Sequence, residues 1–259
     1  GDYLVTLLLG DNTLDDELNN HLSILGISHL LAISGLHITI LVNLFVKLLD
    51  KLFYFEKPKE IIITIFLLIY IVITNFSTSV VRAALMVILK FYFKSKKDLF
   101  TKLDILSIIT ICVLLTNPKT FFLISFELSY LISFIMITFV PMLKKSNIII
   151  NSLKISLVAF MVSLPIVINI NFELNLLTLL ASPLYSFYFE LLLIPLAVII
   201  LFFPFCEKHM LIFFDLFEKS ISYLGEIRLF TFIFGKLNSF EVLIYYLLLF
   251  LLFMFPSII

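Results

Sequence analysis

Charge, glycine and cysteine are all scarce in this chain. Charged residues make up 14% of its 259 positions against 62% hydrophobic, whereas a water-soluble domain runs nearer ~25% charged and ~45–50% apolar. A soluble single domain is excluded. Lysine plus arginine and aspartate plus glutamate number 18 each, so no global basic excess marks a soluble nucleic-acid binder, and any contact with a polyanion must come from local placement. Six glycines leave no G-x-x-x-x-G-K-[ST] loop, so these residues hold no ATPase of their own. The two cysteines, Cys112 and Cys206, lie in apolar runs and imply neither a disulfide framework nor a thiolate metal site. No cofactor follows. Ser34 and His37 resemble pieces of a hydrolase, but there is no G-x-S-x-G elbow and no carboxylate nearby to orient the imidazole. His29 and His37 lack the one-turn spacing of H-E-x-x-H. The expectation is a protein that is not an enzyme. Beginning at Gly1, with no signal-type core ahead of the first apolar run, the sequence reads as a portion of something longer.

What is present is a succession of long apolar runs. A bilayer core of ~30 Å takes about 20 apolar residues per helix. The first candidate span is His21 to Leu49, closed by a charged connection that holds Asp50, Lys51, Glu56, Lys57, Pro58, Lys59 and Glu60. Ile61 to Phe93 is too long for one span, and its polar interruption at Thr74 to Ser79 makes it a helical hairpin. After a charged loop from Lys94 to Lys102 come a short span at Asp104 to Thr116, a turn at Asn117-Pro118-Lys119, and a span from Phe121 to Leu143. Ile148 to Ile170 is a further span in which Pro165 should kink the helix by freeing a backbone carbonyl. Pro183, Pro195 and Pro204 make Leu174 to Phe205 a broken or re-entrant helix. Lys208, Asp215, Lys219, Ser222 and Glu226 recur at the period of an amphipathic helix lying at the interface. Glu241 to Ile259 is the last apolar run. The fold class is therefore all-α, a polytopic membrane bundle of about eight spanning or half-spanning elements.

Basic residues follow every second span: Lys47, Lys51, Lys57 and Lys59, then Lys90, Lys94, Lys96 and Lys97, then Lys144 and Lys145. Positive flanks stay cytoplasmic, which puts the N-terminus outside. Ionisable groups at membrane depth cost ~2.5–3.5 kcal/mol on insertion scales and call for a partner or an aqueous cavity. His29, His37, Arg82 and Glu127 are the four. At ~1.5 Å per residue, His29 and Glu127 lie about 10 Å inside the outer boundary and Arg82 about 6 Å inside it. An Arg82 to Glu127 ion pair with His29 close by is the expectation, and by the same arithmetic His37 meets Glu190 nearer the cytoplasmic half.

Ser28, Ala32, Gly35, Thr39 and Asn43 fall on one helical stripe of small and polar residues. Close helix packing and a pore wall both fit such a stripe. Lys90, Lys94 and Lys97 share a helical face beyond Arg82, which suits either cytoplasmic anchoring or a ladder that guides phosphates inward. The 30 phenylalanines are read as lipid-facing or core.

At Gly26-Ile27-Ser28-His29-Leu30-Leu31-Ala32-Ile33-Ser34-Gly35-Leu36-His37-Ile38 the sequence resembles the ComEC-type competence proteins, the inner-membrane channel family for DNA uptake. Leu9-Gly10-Asp11 and Ser79-Val80-Val81-Arg82-Ala83-Ala84-Leu85-Met86 agree with it, as does Asn117-Pro118 followed by Ser125-Phe126-Glu127-Leu128-Ser129-Tyr130. There the family more often shows a Phe-Gln-Leu-Ser pattern, so Glu127 is a departure. The proline-rich stretch from Asn175 to Pro195 is also similar, with Ser182 where asparagine is expected. The likeness covers nearly all of residues 1–259, which it makes a competence-type transmembrane channel domain.

That resemblance implies import of single-stranded DNA across the cytoplasmic membrane during natural transformation. It also implies a cytoplasmic helicase-like motor, an extracellular DNA receptor, contact with membrane lipid and a possible homo-oligomer. Family members usually add an extracellular OB-like domain and a metallo-β-lactamase-like domain; no H-x-H-x-D-H cluster occurs in these residues, so nuclease chemistry is not assigned to them. The resemblance favours the pore reading of the stripe. Ser28, His29, Gly35, His37, Thr39, Asn43 and Arg82 would line or contact the path, and Lys90, Lys94 and Lys97 would receive phosphates at its inner mouth. The rival from another class is a secondary transporter of a small polar solute, for which broken helices with buried His, Arg and Glu are equally natural. No repeat of the first half in the second supports it.

Overall fold

The computed structural model describes residues 16–28, 35–94, 99–142, 147–203, 205, 207–226 and 231–254. His29, Ser34, Lys97, Lys144 and Lys145 lie outside them. The described chain is built of helices: α1 Asp16–Ile24, α2 Gly35–Leu49, α3 Glu56–Ile73, α4 Thr78–Tyr92, α5 Lys102–Thr116, α6 Ile124–Thr138 and α7 Ile148–Asn171. They continue with α8 Thr178–Tyr188, α9 Ile194–Phe202, α10 Glu207–Gly225 and α11 Ser239–Met254. Two three-residue strands, β1 Glu173–Asn175 and β2 Thr231–Ile233, pair antiparallel with Leu174 opposite Phe232. Short apolar runs beside helix ends give no alternation that would have announced this ladder.

Among the described residues, two helical stretches are long and apolar enough to cross a membrane, Ile150–Asn171 and Thr178–Ile200. His37–Leu49, Ile124–Thr138 and Ser239–Phe253 are shorter apolar helices.

Turn chemistry sets most boundaries. The run expected as one span from His21 to Leu49 is interrupted after Ile24. There the Gly26 N–H bonds Ser23 O at 2.9 Å and the Ile27 N–H bonds Leu22 O at 2.9 Å, a Schellman close with Gly26 at φ +66°. A Cβ at Gly26 would sit 2.7 Å from the Thr178 hydroxyl oxygen. Hydropathy averages over this glycine, which is why the interruption was not read from the run. The hairpin turn closes the same way, Asn75 N–H to Val72 O at 3.1 Å and Phe76 N–H to Ile71 O at 2.9 Å, with Asn75 at φ 49°. Asparagine tolerates that left-handed conformation better than other side-chain-bearing residues. Helix α5 starts in a capping box, with Thr101 Oγ1 accepting from Asp104 N and Asp104 Oδ2 accepting from Thr101 N at 2.7 Å.

The chain divides into two compact units. The first takes α2 through Tyr130 of α6, together with Glu190–Phe202; the second takes α1, the chain from Leu131 to Phe189, and the residues after Phe202. In the first, Ile38, Leu41 and Val42 of α2 pack with Ile63, Leu67 and Ile71 of α3 and Val80, Ala83 and Ala84 of α4. In the second, Ile135 of α6 packs with Val158 and Val162 of α7 and Leu249 and Phe253 of α11. There too Phe214, Phe217 and Ile221 form the buried stripe of α10 while Lys208, Asp215, Lys219 and Glu226 are exposed, the amphipathic division expected of that helix.

Prolines shape the second unit. Pro165 lies inside α7 and has no N–H for the carbonyl four residues earlier, that of Met161. Tyr245 Oη of α11 donates to Met161 O at 2.7 Å. Pro183 likewise leaves Leu179 O without its helical donor, and Ser156 Oγ of α7 donates to it at 3.4 Å. The segment read as broken or re-entrant runs as helix from Thr178 to Ile200, with a π-helical turn at Phe189–Leu193 ahead of Pro195. A π-helical turn rearranges helical hydrogen bonds without ending the helix.

Candidate functional site

The polar residues of the first unit meet along α4 and α6. Thr78 Oγ1 donates to Ser125 Oγ at 3.0 Å, and Arg82 Nε donates to Ser129 Oγ at 2.8 Å. Both pairs are separated by 47 positions, so the two helices run parallel there, with four-residue rungs in register. Gly35 at the start of α2 completes the berth: a Cβ on it would lie 2.9 Å from Arg82 Nη2. Arg82 is half-buried, with its Nε bonded to the Ser129 hydroxyl.

Tyr130 follows Ser129. Its ring stacks on Phe126 with centroids 4.1 Å apart, and it is 7% exposed. Its hydroxyl is buried without a hydrogen-bond partner. The arrangement gathers a guanidinium and hydroxyls between α4 and α6. Donor-rich, low-dielectric surroundings suit an anionic oxygen.

The expected partner of Arg82 was Glu127. The Ser125 and Ser129 face of α6 is the one that meets α4, and Glu127 stands ~200° around the helix from each of them. The ion pairs among the described residues do not include Arg82 with Glu127. Depth arithmetic finds the right level of α6, but it carries no information on azimuth.

The stripe divides as well. Ser28 is exposed and follows the Gly26 turn, and residues 29–34 between it and Gly35 lie outside the described residues. Thr39 and Asn43 are exposed, and Thr39 Oγ1 bonds Gly35 O at 2.9 Å. His37 is 2% exposed, on the core side of α2. The side chain of Glu190, expected to meet it, lies outside the described residues.

Lys90 is exposed. Lys94 is engaged by carboxylates, Glu60 Oε1 at 2.7 Å and Glu56 Oε2 at 3.6 Å, and Lys59 bonds Asp50 at 2.6 Å and Glu56 at 2.8 Å. The hydrogen bonds that Lys59 donates to Asp50 and Lys94 donates to Glu60 hold both ammonium groups above the usual lysine range, and the Lys59 contact holds the Glu56 carboxyl below the usual carboxylate range. Two cations facing three carboxylates form a clasp between the ends of α2, α3 and α4, and Lys94 in that clasp is not a free receiver of phosphate. Spacing along α4 cannot reveal acids contributed by α3.

In the second unit, Ser23, Asn171, Glu173, Asn175 and Thr178 are among the residues lining a cavity of about 40 Å³. Among the described residues no cluster of His, Cys, Asp and Glu is placed to hold a metal ion.

Sequence reading passed over Thr78, Ser125, Ser129 and Tyr130. The signal was there: Thr78 with Arg82 and Ser125 with Ser129 are both four apart, on helices entering from the same side.

A family model described as Competence protein matches residues 7–258. The chain belongs to the Competence protein family. It is similar to ComE operon protein 3 of Bacillus subtilis (strain 168), with 29% identity over 224 residues, 85% of this chain and 29% of that protein. It is also similar to uncharacterized protein MG316 of Mycoplasma genitalium (strain ATCC 33530 / DSM 19775 / NCTC 10195 / G37), with 31% identity over 191 residues, 72% of this chain and 49% of that protein. The chain thus spans less than half the length of each of these relatives. No solved structure matches it. Residues 7–258 of the Competence family match cover most of both units and include Arg82.

Proposed function

We propose that this chain is the membrane-embedded part of a competence machine and conducts a single DNA strand across the cytoplasmic membrane. The observation that carries the reading is the ladder of Thr78 with Ser125 and Arg82 with Ser129, a row of polar groups between two helices of the first unit. A strand crossing such a bundle must exchange phosphate hydration for protein donors, and a guanidinium flanked by hydroxyls supplies that exchange. Membership in the Competence family supports the DNA-uptake role.

In this reading the chain is a polytopic inner-membrane bundle of about eight spanning elements, with its N-terminal side outside. Conduction is passive and involves no chemistry by these residues. A cytoplasmic motor supplies the energy, an extracellular receptor delivers the strand, and a second copy of the chain can complete the wall. Thr39 and Asn43, exposed on α2, lie on the wall.

The test is transformation of a strain lacking the full-length protein, complemented with wild type or Arg82→Met, and scored with labelled DNA. Loss of internalised label at unchanged surface label is the expected result for Arg82→Met. Equal internalisation by the two alleles would remove Arg82 from the path and the ladder from the mechanism.

A further inference from the structure

Two lysines near the start of α3, two positions apart, have opposite surroundings. Lys59 is buried and held by Asp50 and Glu56, on the side of the helix that also buries Ile63, Leu67, Tyr70 and Ile71. Lys57 is exposed and takes no part in the ion pairs among the described residues. It shares an arc of about 80° with Ile61, Ile65, Leu68 and Val72, which are 50–62% exposed. An exposed apolar stripe on a membrane helix faces acyl chains, and a lysine in its line, about one turn beyond its end, stands at headgroup level.

The connection that leads into α3 continues the pattern. Lys51 is exposed at its start, and between the two exposed lysines Leu52, Tyr54 and Phe55 are 74%, 93% and 72% exposed. The Tyr54 and Phe55 rings meet edge to face with centroids 5.5 Å apart. The acids here are already engaged, since Asp50 and Glu56 both bind Lys59. The outward surface therefore presents rings and ammonium groups together and carries positive charge. Aromatic rings suit the boundary between acyl chains and headgroups, and ammonium groups there select negatively charged lipid.

We propose that Lys51, Tyr54, Phe55 and Lys57 form a docking site for an anionic phospholipid, with its phosphate held by the lysines and its glycerol and upper acyl carbons laid against the rings. The proposal rests on the membrane placement of the chain and goes beyond the conduction reading, since it concerns the lipid face and not the path. A strand following Thr39 and Asn43 would next meet Lys47, four residues further along α2 and also exposed. Lys57 lies on another helix, in line with exposed isoleucines and not with that polar stripe, and this register places it with lipid.

The experiment is native mass spectrometry of the full-length protein released from maltoside micelles, titrated with phosphatidylglycerol or with phosphatidylcholine of the same acyl chains. Wild type is expected to bind phosphatidylglycerol several-fold more tightly. Lys57→Gln is expected to weaken phosphatidylglycerol binding about fivefold, the effect of one charge beside an anionic surface, and to leave phosphatidylcholine binding unchanged. Tyr54→Ser is expected to weaken binding of both lipids. Both variants should melt in lipid-free micelles at the wild-type temperature, because neither side chain is buried. Lys47→Gln should change phosphatidylglycerol binding less than twofold.

Equal affinities of wild type for the two lipids overturn the site. So does phosphatidylglycerol binding that Lys57→Gln matches within twofold, or that Lys47→Gln weakens as much as Lys57→Gln does, since the selectivity would then belong to the basic end as a whole. If Lys57→Gln weakens binding of a single-stranded oligonucleotide about fivefold and spares phosphatidylglycerol, the occupant is the strand and the lipid proposal is overturned. Internalisation of labelled DNA by Arg82→Met tests conduction separately, and lipid selectivity that depends on Lys57 stands whichever way that assay falls.

Discussion

A tyrosine hydroxyl does opposite things in the two units. In the second, Tyr245 Oη donates to Met161 O at 2.7 Å and so occupies the carbonyl that Pro165 deprives of its helical donor. In the first, Tyr130 Oη is buried and bonds nothing. One unit uses a hydroxyl to settle a backbone deficit, the other leaves one unsatisfied. The lesson concerns what a polar group in an apolar bundle is for. Where its partner is in the same unit the group supports the fold; where its partner is missing it is a cost that the surrounding packing must offset.

The largest effect is expected at a backbone position. Gly26→Ala puts a Cβ 2.7 Å from the Thr178 hydroxyl oxygen at φ +66°, and should destabilise the second unit by about 2–4 kcal/mol, from the left-handed backbone and the overlap combined. Thermal unfolding of the full-length protein in detergent measures it. A change below the melting-temperature error would mean that the Gly26 turn is not held against α8.

Tyr245→Phe comes next. It should cost about 1–3 kcal/mol by leaving Met161 O buried and unpaired. In a Pro165→Ala background, where residue 165 regains an N–H for that carbonyl, the same substitution should cost far less, and a double-mutant cycle reads the difference. Equal costs in the two backgrounds would break the link between the proline and the tyrosine. Tyr130→Phe is the mirror test. It should stabilise the protein by about 1 kcal/mol, since an unsatisfied hydroxyl is removed. If the two substitutions shift the melting temperature in the same direction, the contrast between the units is gone.

Arg82 sharpens the comparison through function. Ser129→Ala should reduce DNA internalisation several-fold by releasing the guanidinium, while Glu127→Gln should leave it within twofold. Exchange of Arg82 and Glu127 should not rescue uptake. Rescue would restore the ion pair as the organising contact and displace Ser129 from that role.

The smallest effect belongs to the surface clasp. Glu56 sits below the usual carboxylate range through Lys59, so its contribution is complete above that range and is lost as pH falls through the lowered value. Lys59 and Lys94 sit above the usual lysine range through Asp50 and Glu60, so theirs is complete below that range and is lost as pH rises through the raised values. Stability should therefore be flat around neutral pH, with shallow declines in acid and in strong alkali that molar salt erases. A slope at neutral pH would show that the clasp is not what titrates.

Much of the fold was legible from local chemistry. The Thr74 to Ser79 interruption became the hairpin turn, Pro165 freed a carbonyl as expected, and α10 kept its two faces. Gly26 was within reach too, but a glycine inside an apolar run is outvoted when hydropathy is averaged over twenty positions. The site was legible only in part. Arg82 stands out because a cation in an apolar run is costly; Tyr130 does not, since a tyrosine among phenylalanines is ordinary until its hydroxyl is seen to lack a partner.

By itself, the order of residues determined where helices start, stop and turn, because caps, prolines and glycines act over three to five neighbours. It also fixed the apolar character of the bundle. Only tertiary packing decided that Arg82 meets Ser129, across 47 positions, and that Tyr245 meets Met161, across 84. Periodicity gives a residue's depth and its angle on its own helix, whereas a contact depends on how two helices are rotated against each other, and that rotation is set by the summed fit of their side chains.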